Sequence, residues 1–131
     1  MPEIKQLKTL LVDDDKFLLD MYLLKFKKSG LDLDAAPSSQ EALKKLREGV
    51  AYDIVILDII LPGLDGLELL KIIKEEKLSP KAIIIMLTNQ TDDFEKAKLL
   101  GVDGYIIKAS AIPSEVVEQV LSIYKSRQNK N

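Results

Sequence analysis

In this chain of 131 residues, a few polar side chains stand where apolar runs end. Asp13 and Asp14 follow the first run, Asp58 the third, Thr88 the fourth and Lys108 the fifth. In a parallel sheet such strand ends gather along one edge. Three carboxylates, a hydroxyl and an ammonium would then share one cleft. Oxygen donors without nitrogen or sulfur ligands suit Mg2+ or Mn2+ rather than zinc. The carboxylates bring three negative charges, and a divalent cation with Lys108 brings three positive ones. Such a pocket is near neutral until a phosphoryl group arrives. Its oxygens would meet the metal, the ammonium and the Thr88 hydroxyl, the kinds of group that stabilise a phosphoryl in transfer. The Asp58 carboxylate would be the nucleophile.

Each signal also has a plainer explanation. Asp13, Asp14 and Asp15 repel one another by roughly 4 kcal/mol per pair at 4 Å if the effective dielectric is near 20. A solvated turn, with Asp15 capping the next helix, would tolerate that as well as a bound cation would. Asp58 is harder to dismiss. It ends a β-branched run, where partial desolvation is costly without a cation or donor, and Asp65 already caps the helix that follows. Thr88 and Lys108 are each weak alone; their joint placement carries the signal.

Composition removes other chemistries. There is no cysteine and no histidine, which excludes disulfides, thiolate or imidazole metal sites, a Ser-His-Asp triad and a phosphohistidine carrier. Lys and Arg number 19 against 21 Asp and Glu, a net charge of -2. That balance argues against nucleic-acid or membrane surfaces as partners. The opening Met1-Pro2-Glu3-Ile4-Lys5 lacks the apolar core of a secretory signal. A cytoplasmic protein is expected.

The elements that must position these residues alternate along the chain. Strands are expected at Leu7 to Val12, Leu31 to Ala36, Asp53 to Leu57, Ala82 to Leu87 and Tyr105 to Ile107. Between them lie helical patterns. The first spans Phe17 to Phe26 and stops at Ser29-Gly30. The second carries a capping box of Ser38 with Glu41 and ends at Gly49, and the third is capped by Asp65 with Glu68. A fourth starts from Thr91 as N-cap and reaches Leu100. A fifth opens on Pro113 and buries Val116, Val117, Val120, Leu121 and Tyr124. This repeat predicts an α/β fold with a parallel sheet covered on both faces. A single domain over 1-131 is expected, with its core in 7–125 and a polar tail at 126–131 that frays from Arg127.

The segments Leu11-Val12-Asp13-Asp14-Asp15, Asp58 through Gly66, Met86-Leu87-Thr88 and Gly104-Tyr105-Ile106-Ile107-Lys108 resemble, in this order and spacing, the receiver domain of two-component response regulators over essentially the whole chain. The resemblance implies a flavodoxin-like (βα)5 fold with strand order 2-1-3-4-5. It implies that Asp58 accepts a phosphoryl group from a phosphohistidine of a sensor histidine kinase or histidine phosphotransfer protein. Mg2+ would be held by Asp14, Asp58 and the backbone carbonyl of Ile60, with Asp13 acting through water. Thr88 and Lys108 would bind the phosphoryl oxygens. Thr88 would then move inward with Tyr105 rotating behind it, changing the surface of the fourth helix, fifth strand and fifth helix for a protein partner. Beyond its own phosphoryl acceptance and loss, no enzymatic activity is expected. A stand-alone switch, monomeric or dimerising on phosphorylation, is the expected form, its output a protein contact or onward phosphotransfer.

The chain departs from the family pattern at several positions. The residue after the lysine is usually a cis proline; here it is Ala109. A cis bond before a non-proline residue costs ~2.5–4 kcal/mol, which favours trans here. The residue after the threonine is usually small; here it is Asn89, which restricts access to the phosphoryl group or alters how the loop moves. Ile60 and Gln90 occupy positions that tune phosphoryl loss, and Ile60 offers no hydrogen bond to an attacking water, so slow self-dephosphorylation is expected. The competing enzyme reading is a small haloacid-dehalogenase-type phosphatase with Asp13 as nucleophile. Lys16 and Phe17 stand where that family usually has a threonine or similar residue, and Asp58 would have no role.

Overall fold

The computed structural model describes residues 7–128, so the opening pentapeptide and the last three residues of the tail lie outside the described residues. The element order is β1 (Lys8–Val12), α1 (Lys16–Lys28), β2 (Asp32–Ala36), α2 (Ser39–Arg47), β3 (Ile54–Leu57), α3 (Gly66–Glu75), β4 (Ile83–Thr88), α4 (Phe94–Leu99), β5 (Gly104–Ile107), a 3₁₀ turn (Lys108–Ser110) and α5 (Pro113–Gln128). The strands form one parallel sheet in the order β2-β1-β3-β4-β5, as the resemblance implies.

Successive strand side chains point to opposite faces, and that period divides the core in two. Leu11, Ile54, Ile56, Ile83, Ile85 and Leu87 pack with Leu19, Tyr22 and Phe26 of α1 and Val116, Val120 and Tyr124 of α5. Leu10, Val12, Val55, Leu57, Ile84 and Met86 pack on the other side with residues of α2, α3 and α4. β3 and β4 are buried along their whole length. This explains why they read as unbroken apolar runs rather than alternations.

Local signals hold at most helix starts. The Asp15 carboxylate accepts the Leu18 N–H, and Asp65 with Glu68 forms a reciprocal capping box. Ser38 accepts the Glu41 N–H, which gives the forward half of the expected box. Two boundaries differ from the sequence reading. α4 begins at Phe94 after Asp93, not after Thr91; the two residues before Thr91, Asn89 and Gln90, are tied to the turn after β5 and to β5. α5 runs on through Gln128, where fraying from Arg127 was expected. Arg127 instead pairs with Asp103 at 3.0 Å. Among the described residues no helix is long and apolar enough to cross a membrane.

Candidate phosphoacceptor site

The sheet register sets the site. Val12 pairs with Leu57, Leu57 with Met86, and Thr88 with Ile107. The residues one step beyond, Asp13 and Asp58, therefore emerge side by side at the switch point between β1 and β3. Crevices form at such points in open parallel sheets. Thr88 and Lys108 close the same edge from β4 and the end of β5.

All the expected side chains except Ile60 and Tyr105, whose assigned parts are a carbonyl and a switch, meet around this crevice. Lys108 Nζ lies 2.5 Å from Asp13 Oδ2 and 2.6 Å from Asp58 Oδ2. Asp13 is 1% exposed, Asp58 7% and Thr88 fully buried, while Asp14 faces solvent. Asp13 Oδ1 accepts the Asp15 N–H at 2.9 Å. Asp58 Oδ1 accepts the Ile60 N–H at 3.3 Å. The β3–α3 loop is pinned from below by Gly66. A Cβ there would stand 2.0 Å from the Asp58 carbonyl oxygen, and the Gly66 N–H donates to Ile59 at 2.7 Å. Glycine is required here for close approach between backbones.

The electrostatics are those of an anion-rich pocket with one cation. Burial is the main influence on Asp13 and holds its pKa above the usual carboxylate value, against the opposing effects of Lys108 and the Asp15 N–H. For Lys108, burial alone would lower the pKa. Its close pairing with Asp13 and Asp58 outweighs that and raises it. The two shifts differ in origin: burial raises Asp13, and the two carboxylates raise Lys108. One oxygen each from Asp13, Asp14 and Asp58 lies within 4.8 Å of the others. Asp13 Oδ2 is buried with Lys108 close by but with no well-directed hydrogen-bond donor. An all-oxygen donor set with one oxygen left unsatisfied fits a hard divalent cation.

The Asp13 shift has a testable sign. A carboxylate whose native pKa is raised favours the fold below its unfolded value of 3.8 and loses that contribution as pH rises through the native pKa. Asp13→Asn, measured in chelator, is expected to gain stability over wild type as pH climbs through that window and to match it below about 3.8. Thermal melts across pH read this directly. A variant less stable than wild type at neutral pH would contradict it.

Tyr105 sits at the edge of the site. Its hydroxyl donates to the Gln90 carbonyl, and its ring meets Phe94 edge-on at 5.5 Å between centroids. Among the described residues every peptide bond is trans, so the Lys108–Ala109 bond is trans as its residue types favour. One residue close to the site escaped the sequence reading as a partner: Asn89, whose side-chain oxygen accepts the Ala109 N–H at 2.8 Å. The signal was present, since positions 89 and 109 both depart from the family pattern beside site residues.

The family model of the response regulator receiver domain matches residues 9–120. The chain belongs to that family. The receiver domain is 36% identical over 120 residues to the alkaline phosphatase synthesis transcriptional regulatory protein PhoP of Bacillus subtilis, covering 90% of this chain and 48% of that protein. It thus spans about half the length of the curated relatives it matches. A CheY-like receiver domain protein from Methanospirillum hungatei superposes with a TM-score of 0.82 at 28% identity, over 95% of this chain and 98% of that one. The response regulator TrrA of Thermotoga maritima, solved in complex with Mg2+-BeF, superposes with a TM-score of 0.78 at 33% identity, over 90% of this chain and 99% of that one.

Proposed function

We propose that this receiver domain is a phosphoacceptor switch in which Asp58 takes a phosphoryl group from a phosphohistidine of a sensor histidine kinase or phosphotransfer protein. The observation that carries the reading is the Lys108 ammonium bridging Asp13 and Asp58 at 2.5 and 2.6 Å, at a sheet edge that also presents Thr88. An Asp58 carboxylate oxygen attacks phosphorus while the bond from phosphorus to the donor imidazole nitrogen breaks. The electron pair stays on that nitrogen, which is protonated from solvent. Lys108 follows the charge from carboxylate to phosphoryl oxygen, and the Thr88 hydroxyl donates to a second oxygen.

Asp13, Asp14, Asp58 and the Ile60 carbonyl would hold Mg2+. When bound, the ion supplies positive charge against the carboxylates and the incoming phosphoryl group. The catalysis required is positioning and charge stabilisation.

Asp58 suits the acceptor role better than Asp13 does. Each carboxylate has a backbone N–H on Oδ1 and Lys108 beside Oδ2, but the Asp13 side chain is 1% exposed against 10% for Asp58, so Asp58 is the one a donor can reach. As the acceptor's output, movement of Thr88 would pull on the β4–α4 loop. Tyr105 and Phe94 rest against that loop, so the change would reach the α4-β5-α5 face and a protein partner there. Incubation with Mg2+ and acetyl phosphate, followed by trapping and mapping of the acyl phosphate, tests the assignment. We expect one phosphoryl group, on Asp58. A phosphoryl group mapped to Asp13 would establish the phosphatase chemistry instead.

A further inference from the structure

Lys108 must keep its ammonium within hydrogen-bond reach of two carboxylates, and its side chain is long and flexible. The backbone from which it starts therefore decides how often it is in place. Its peptide unit is held on both sides. The Lys108 carbonyl accepts the Ala111 N–H at 3.3 Å. The N–H of the same unit, which belongs to Ala109, donates to Asn89 Oδ1 at 2.8 Å. A peptide unit is planar, so holding its oxygen and its N–H fixes the ψ of Lys108 and the direction in which the side chain leaves.

Asn89 is itself well anchored. It follows Thr88 at the end of β4. The next residue, Gln90, donates its N–H to Thr88 Oγ1 at 3.3 Å and gives its carbonyl to the Tyr105 hydroxyl. The bond from Asn89 thus joins the loop carrying Thr88 to the turn carrying Lys108. A proline at position 109 would have no N–H to give, and an alanine at 89 would have no oxygen to take it. The two departures from the family pattern are donor and acceptor of one hydrogen bond.

We propose that Asn89 is a positioning residue for Lys108, holding the Lys108–Ala109 peptide so that the ammonium stays aimed at Asp58. This rests on the reading of Asp58 as phosphoacceptor. Asn89 and Ala109 are both exposed, so the bond contributes to placement more than to stability.

The test compares uptake from acetyl phosphate at saturating Mg2+, followed by intact mass against time, for wild type, Asn89→Ala, Ala109→Pro and the double variant. Asn89→Ala is expected to slow uptake about tenfold. Its Mg2+ affinity should stay unchanged, because the three carboxylates are untouched. In the Ala109→Pro background the same substitution should cost nothing further. Exchange of the Ala109 amide proton, read by NMR without phosphodonor, should quicken in Asn89→Ala whatever the uptake chemistry. Wild type that reacts while Asn89→Ala reacts as fast or faster overturns the role of Asn89 and leaves the Asp58 reading standing. Wild type that takes up no phosphoryl group removes both.

Discussion

Asp58→Asn takes up no phosphoryl group: after incubation with Mg2+ and acetyl phosphate the variant keeps its unmodified mass, while wild type gains one phosphoryl group. The substitution preserves shape and one acceptor oxygen, so Lys108 retains a partner at that position. It removes the nucleophile, because a neutral amide does not attack phosphorus, and it removes one of three clustered carboxylates. Mg2+ affinity should therefore fall as well. Uptake should drop below detection rather than by a modest factor, since no neighbouring group can take over. Asp14 is exposed and Asp13 is enclosed, and neither stands where Lys108 and Thr88 together can receive the phosphoryl oxygens. Intact mass spectrometry reads both outcomes. A variant that still gains the full phosphoryl mass would mean that another carboxylate is the acceptor and that the bridging geometry at Asp58 has been misread.

The site was legible in the sequence because its residues are strand ends, and strand ends are where local pattern and global topology coincide. Each apolar run stops where its strand leaves the core, and the parallel register then brings Asp13, Asp58, Thr88 and Lys108 to one edge. The alternation of strands and helices predicted the fold for the same reason. What stayed hidden depends on contacts between segments far apart in the chain. Thr91 has the side chain of an N-cap, yet α4 waits until Phe94. The preceding residues are held by Tyr105 and Ala109, some 15 to 20 positions away, and no local window reveals that. Arg127 looked like part of a polar tail until its pairing with Asp103 kept the last helical turn in place. Position 66 was legible only as turn chemistry. Its real constraint, a backbone carbonyl where a side chain would begin, is tertiary.

Lys108→Ala should separate stability from chemistry. Without Mg2+, the ammonium is the only cation in contact with Asp13 and Asp58 among the described residues. Its removal leaves the enclosed Asp13 charge uncompensated. Breaking a buried pair in this way costs about 3–5 kcal/mol in the limit of full burial. The crevice opens toward solvent at Asp14, and Asp13 can escape part of the penalty by taking a proton. A loss of about 2–4 kcal/mol is therefore expected, read as a melting point lower by about 10 °C. The native Lys108 pKa is raised, so its contribution is complete below the unfolded value of 10.5 and is lost only as pH rises through the native value. Measurements at neutral pH therefore see the whole effect. Added Mg2+ should restore most of the lost stability, because a divalent cation replaces the missing positive charge. It should not restore uptake, which is expected to stay about 10²–10³-fold slower, since a donor aimed at the transferring oxygens is gone. If the variant melts with wild type in chelator, the ion pair is not what offsets the carboxylates. If Mg2+ rescues rate and stability together, Lys108 serves the fold and takes no direct part in the transfer.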